Sequence, residues 1–180
     1  MSGRIPAWVD GRLQPVDKLE AHRRGLRHKA ISVFVVREGE VLIQRRALSK
    51  YHTPGLWANT CCTHPHWGER DLECAERRLD EELGIRGLTL AHVGAVEYHA
   101  DVGGGLIEHE LVQVFTAQAP VDLEVAPNPD EVAAVDWMLL PALIDATERT
   151  PERFTPWLRI YLRDHLGQIF GPRARDAELL

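Results

Sequence analysis

Residues 57–65, Trp57-Ala58-Asn59-Thr60-Cys61-Cys62-Thr63-His64-Pro65, read as extended chain, and residues 69–84 follow as an acidic stretch with the spacing of an amphipathic helix. Leu72, Ala75, Leu79 and Leu83 recur at steps of three and four, so they form one stripe that has to be buried. Arg78 and Glu82 stand one turn apart beside that stripe, which puts a cation and a carboxylate where the helix meets the body of the protein. Ahead of the helix, side chains two apart on extended backbone point the same way. Cys62 and His64 therefore face one cavity, and Cys61 points to the other side as an inert thiol. A thiol and an imidazole just before paired carboxylates form an arrangement for chemistry at a metal.

The rest of the chain reads as strands and helices around this segment. Residues 30–36 are β-branched and aromatic, Glu38-Gly39 turns the chain, and residues 41–46 return as the second arm of a hairpin. Residues 48–57 form a loop punctuated by Pro54-Gly55. Residues 91–98 and 107–116 read as strands joined at Gly103-Gly104-Gly105, residues 132–138 as another strand, and residues 141–147 and 156–166 as helices. Strands, then a helix packed over them, then more strands predict an α+β fold with a mixed sheet between helices. At 180 residues the chain fits one domain spanning residues 1–180.

Charge and cysteine usage narrow the function classes. A net charge of −6 argues against nucleic acid or an anionic membrane as the main partner. An anionic substrate then needs a local basic site, which Arg45, Arg46, Lys50 and Arg78 can supply. Three cysteines, two of them adjacent, do not pair completely, which implies a reducing compartment. No apolar run approaches the roughly 18 residues of a membrane span, and residues 1–15 lack the apolar core of a signal peptide. A soluble, cytoplasmic protein is expected.

Glu69, followed after seven residues by Arg77-Arg78-Leu79-Asp80-Glu81-Glu82-Leu83-Gly84-Ile85, resembles most of the box of Nudix diphosphate hydrolases. The box glycine is Thr63 here, and the glutamate after the box arginine is Arg78. A more specific resemblance covers nearly the whole chain, to the type I isopentenyl-diphosphate isomerases. It is carried by residues 18–22, Arg45-Arg46-Ala47-Leu48-Ser49-Lys50, Pro54-Gly55-Leu56-Trp57, Cys62-Thr63-His64-Pro65, Glu82-Leu83-Gly84, Glu108-His109-Glu110 and Phe154-Thr155-Pro156-Trp157, in the expected order. His22 and His28 are six apart where that family has about seven.

The resemblance implies a Nudix fold and reversible interconversion of isopentenyl and dimethylallyl diphosphates through a tertiary carbocation, feeding isoprenoid biosynthesis. It implies catalytic roles for Cys62, Glu110, Tyr98 and Trp157. Lys18, Arg46, Lys50 and Arg78 would bind the diphosphate. His22, His28, His64, Glu108 and Glu110 would hold one cation, Mn²⁺ or Zn²⁺, and Glu82 would hold Mg²⁺ bridging to the substrate. Three imidazoles and two carboxylates suit Zn²⁺, Mn²⁺ or Fe²⁺ better than a purely carboxylate site. Taken alone, Glu108-x-Glu110 reads as the solvated end of a strand. His52, His66, His92, His99 and His165 read as surface or packing residues. Three other functions compete: a nucleoside-diphosphate hydrolase, a non-enzymatic diphosphate sensor, and a redox or zinc-storage role for the Cys-His cluster. Oligomeric state is left open.

Overall fold

The computed structural model describes residues 3–172 and 174. Arg4–Val9 (β1) and Arg12–Asp17 (β2) pair antiparallel across Asp10-Gly11, whose φ values are 49° and 75°. No strand is expected there from the patterning above; the signal for it is Asp-Gly, the residue pair that suits a two-residue hairpin turn with both central residues at positive φ. Asp17 then caps a short helix, Lys18–Arg23 (α1), its Oδ1 accepting from the Leu19 and Glu20 amides at 2.9 and 3.1 Å. This helix carries Lys18 and His22 one turn apart.

The sheet is organised by Arg27–Arg37 (β3). Along one edge it pairs in parallel with Leu106–Gln118 (β8), which pairs antiparallel with Ala91–Gly103 (β7). Its other edge is shared by three partners: Ala7 of β1 opposite His28, Cys61–Thr63 (β6) opposite Val33, Ser32 and Ile31, and Glu40–Arg46 (β4) for only two residue pairs at the far end. Beyond those pairs β4 leaves β3 and pairs with Val132–Leu139 (β9) and Trp57–Ala58 (β5). Nine strands thus form one mixed sheet that is split between β3 and β4.

Side chains bridge the split where the backbone ladder stops. Thr60 Oγ1 donates to Leu42 O of β4 at 2.6 Å and accepts from the Val35 amide of β3 at 2.8 Å. The Asn59 amide donates to Val33 O and Cys61 O, and Gln44 Nε2 to Thr60 O. Buried backbone groups need such partners, so buried polar residues here are structural as well as chemical.

Helices cover both faces, as the α+β reading expects. Asp71–Leu83 (α2) packs Cys74, Ala75, Leu79 and Leu83 on Ile31, Val33, Val35 and Phe115. Leu72, in the first turn of the helix, is exposed, and Cys74 takes its place in the stripe. On the opposite face Pro156–Asp164 (α4) lays Trp157, Leu158 and Tyr161 over Ala30, Phe34, Val112 and Val114. The helix expected over residues 156–166 breaks at His165 (φ −125°) and resumes as Leu166–Phe170 (α5); Leu140–Arg149 (α3) is longer than expected. Gly84 ends α2 at φ 66°, where an added Cβ would lie 3.0 Å from Ala126 Cβ. The Ala126 and Asn128 amides donate to the Leu83 and Glu82 carbonyls, satisfying the helix end. That docking brings Glu131 to the face of α2 that bears Arg78. No helix among the described residues is long and apolar enough to cross a membrane.

Candidate active site

Strand register assembles the first half of the site. His28 of β3 lies opposite Glu110 of β8, which lies opposite Tyr98 of β7, so the three side chains form a row on one face of the sheet. Glu108 sits two residues along the same strand face. Glu108 and Glu110 are 2% and 6% exposed, so the solvated-strand reading does not hold. The row continues inward as Val112 and Val114, and the face is covered instead of ending in water.

His22 reaches this row from α1 and His64 from the residue after β6. One ligand atom from each of His22, His28, His64 and Glu110 lies within 4.8 Å of the others. The short spacing from His22 to His28 is absorbed by a turn at Gly25 (φ 59°), and the two rings end 4.7 Å apart. His22 Nδ1 donates to Lys18 O at 2.6 Å and His28 Nδ1 to Leu26 O at 2.7 Å. Each Nε2 is buried without a hydrogen-bond partner among the described residues, His28 Nε2 lying 3.4 Å from Glu110 Oε1. Buried polar atoms are normally satisfied, and a backbone carbonyl on the far nitrogen is how a metal-binding imidazole is oriented. Burial, then the neighbouring His28, pushes His22 down to about 4; burial and Lys18 push His64 well below the usual histidine range. Burial would raise Glu110, but the adjoining His28 ring and His64, whose Nε2 lies 2.8 Å from Glu110 Oε1, hold it well below the usual carboxylate range. Neutral imidazoles beside a carboxylate are the protonation states that ligate a cation, and the group fits one.

Glu108 lies outside that four-atom group. Its Oε1 meets His52 Nε2 at 3.0 Å, and its Oε2 accepts from Tyr98 OH at 3.1 Å. Tyr98 OH also lies 2.7 Å from Glu110 Oε2, so the phenol bridges the two carboxylates. Burial and Glu110 raise Glu108 well above the usual range. His52 is thus no surface residue: it is 6% exposed and bonded into the site. His66 is exposed, and His92 bonds Gln113 at the surface, as expected.

Cys62 lies opposite Ser32 in the β3–β6 register. Because both Asn59 amide hydrogens go to backbone carbonyls, its Oδ1 is free to accept the Cys62 thiol hydrogen at 2.7 Å. Ser32 Oγ contacts the same sulfur at 3.2 Å and Tyr161 OH at 2.9 Å. Burial pushes the thiol up to about 12 against the Ser32 hydrogen bond, so Cys62 rests protonated. Cys61 faces the α2 layer and is fully buried there.

The cavity holding these groups is also lined by Lys18, Arg46, Lys50, Arg78, Glu82 and Trp157. Burial, then the charges of Lys50, Arg78 and Arg46, push Lys18 down to about 8. Arg46 lies 5.3 Å from the Trp157 ring centroid. Arg78 pairs with both Glu82 and Glu131, and Lys50 with Glu131, while Gln44 Nε2 donates to Glu82 Oε2 at 2.7 Å. Arg45 does not join this group: strand alternation turns it outward, exposed, with Nε on Gly55 O.

The NUDIX domain family matches residues 26–158. The isopentenyl-diphosphate Delta-isomerase of Dinoroseobacter shibae is 66% identical over 171 residues, covering 95% of this chain and 97% of that protein. That of Rhodobacter capsulatus is 64% identical over 93% of this chain and 96% of its own. The chain belongs to the Nudix family, among the isopentenyl-diphosphate Delta-isomerases. Among solved structures, a Deinococcus radiodurans protein superposes with a TM-score of 0.70 at 16% identity, covering 89% of this chain and 97% of its own. A MutT NUDIX hydrolase from Burkholderia pseudomallei superposes with 0.59 at 25% identity over 76% of this chain and 95% of its own.

In this Nudix helix the box pair Glu69 and Arg77 forms a two-point salt bridge at 2.6 and 2.9 Å. Arg78, standing where the box has a glutamate, neutralises Glu82 instead of adding a second carboxylate beside it. Four residues that the sequence reading leaves aside belong to the site: His52, Glu131, Asn59 and Ser32. Only Asn59 carried a sequence signal, its place within the extended Trp57–Pro65 segment.

Proposed function

We propose that the chain interconverts isopentenyl diphosphate and dimethylallyl diphosphate; its relatives are named isopentenyl-diphosphate Delta-isomerases. The observation that carries this reading is a protonated thiol, Cys62, sharing one cavity with the Tyr98–Glu110 pair, a cationic corner and a buried indole. Moving a double bond by one position adds a proton to one alkene carbon and removes one from another. The tertiary carbocation between these steps must be kept from water. Cys62 and Glu110 are the proton-transfer pair in this reading, and Tyr98 relays to Glu110. The Trp157 face would stabilise the cation by about 2 kcal/mol in a desolvated site.

His22, His28, His64 and Glu110 would hold Mn²⁺ or Zn²⁺, with Glu108 completing the set. A cation there supplies positive charge that orders Glu110 and lowers the cost of its ionised form. Glu82 would hold Mg²⁺ once the diphosphate arrives, with Lys18, Arg46, Lys50 and Arg78 around the phosphates. Free cysteines support a reducing, cytoplasmic setting. Incubating the protein with isopentenyl diphosphate and with nucleoside diphosphates, following double-bond position and phosphate release together, tests the reading. Phosphate release without isomerisation would favour a hydrolase.

A further inference from the structure

We infer that His52 is a positioning residue of this site: its Nε2–H holds the Glu108 carboxylate in the orientation that completes the ligand group around the cation. The inference rests on the metal reading above. Both partners are buried, His52 at 6% and Glu108 at 2% exposure, and the contact is 3.0 Å. A Glu108 that ligates a cation is ionised; its oxygen then accepts, the hydrogen sits on Nε2, and Nδ1 is buried without a hydrogen-bond partner among the described residues. The ring has little freedom to turn away. It packs 4.4 Å from Tyr51, 5.7 Å from His22 and 6.0 Å from Trp157, centroid to centroid.

The backbone is bent to deliver it. Thr53, the next residue, stands at φ 45°. That conformation is costly for a β-branched side chain, and such strain persists where the surroundings demand it, often at functional sites. The demand here is visible in Glu108. Its Oε2 is taken by Tyr98, and loss of His52 would leave Oε1 buried and unpaired. Each carboxylate oxygen keeps further lone pairs after one hydrogen bond, so a His52-held Glu108 can still face a cation. An outer partner of this kind typically changes metal affinity by about 10–100-fold.

The test measures Mn²⁺ affinity of the dialysed full chain by chelator competition, without substrate. His52→Phe keeps an aromatic ring but donates nothing, and should weaken Mn²⁺ binding by about 10–100-fold. His52→Gln places an amide N–H near the position of Nε2 and should restore most of the affinity. His52→Asn places it nearer Nδ1 and should not. His92→Ala, at the surface, should bind as the unsubstituted protein does. If His52→Phe folds poorly, the Gln and Asn pair alone decides. Equal Mn²⁺ affinity in the Gln and Asn variants, or an unchanged affinity in His52→Phe, would overturn the assignment. Failure of the unsubstituted protein to bind Mn²⁺ would take down the metal reading and this inference with it.

Discussion

At one end of the cavity, His22 and His28 turn buried, unpartnered nitrogens toward His64 and Glu110. At the other, Glu82 is bonded by Arg78 and Gln44, and Arg78 and Lys50 converge on Glu131. Both corners are built to meet charged groups, but they are prepared differently. A cation would complete the imidazole corner: backbone carbonyls fix the rings, and their Nε2 atoms have no hydrogen-bond partner among the described residues. The helix corner is electrostatically closed on itself. A diphosphate and its Mg²⁺ would have to exchange partners there, the phosphates taking the cationic side chains and Mg²⁺ taking Glu82. On the proposed reading the first corner is prebuilt and the second would assemble with substrate.

The largest effect should come from the group between the corners. Cys62→Ser keeps the shape but replaces a thiol of ordinary pKa about 8.5 with a far weaker acid, so turnover should drop by about 10²–10⁴-fold. Metal content and apparent substrate affinity should stay near normal, because neither corner is touched. Cys61→Ser should isomerise normally, since its side chain lies in the α2 layer. Collapse of activity in Cys61→Ser alone would move the catalytic thiol by one residue. Next comes the prebuilt corner. His64→Ala removes one of the proposed ligands and should cost at least the roughly 100-fold in metal affinity seen for outer partners, with turnover falling alongside. His66→Ala should change neither. Elemental analysis showing equal metal loss in the two variants would argue against a prebuilt site.

The substrate-built corner should respond in KM. Glu82→Gln should leave first-site metal in place while weakening Mg²⁺-dependent substrate binding by about 10-fold, the order expected for one charge-assisted contact. Arg78→Ala should also weaken binding, partly offset because it frees Glu82. Loss of first-site metal in Glu82→Gln would erase the distinction between the corners.

How much of this was legible in the sequence follows the same division. Motif spacing brings out Cys62, His64, Arg78 and Glu82 because each lies in a short segment whose local geometry sets its direction. Glu108 and Glu110 look solvated in isolation; their burial comes from residues away from β8, His52, His64 and Tyr98, that pack against them. His52 escapes altogether, since a lone histidine in a loop carries no period, and the positive φ of the adjoining Thr53 is not readable from a β-branched residue. The β1–β2 hairpin had its Asp10-Gly11 signal, but its strands, Arg4–Val9 and Arg12–Asp17, lack clean alternation and include Pro6 and Pro15. The branching of β3 among three partners is a tertiary property with no local sequence mark.

The smallest effect concerns what holds the helix corner in place. Arg77 grips Glu69 at two points across the start of α2, and its hydrogen bonds hold the Glu69 carboxylate below the usual range despite partial burial. A depressed folded-state value means that the stabilisation is fully present above the unfolded glutamate value of about 4.3 and is lost as pH falls through the folded value. Glu69→Gln should therefore cost about 1 kcal/mol at pH 7, after allowance for solvent screening of a partly exposed pair. The gap from the unsubstituted protein should close as the pH is lowered toward 3. Urea unfolding of both proteins at the two pH values measures it. A gap that stays the same at pH 3 would mean that the salt bridge contributes through packing alone, and that the Nudix helix is anchored by its Cys74, Ala75, Leu79 and Leu83 stripe.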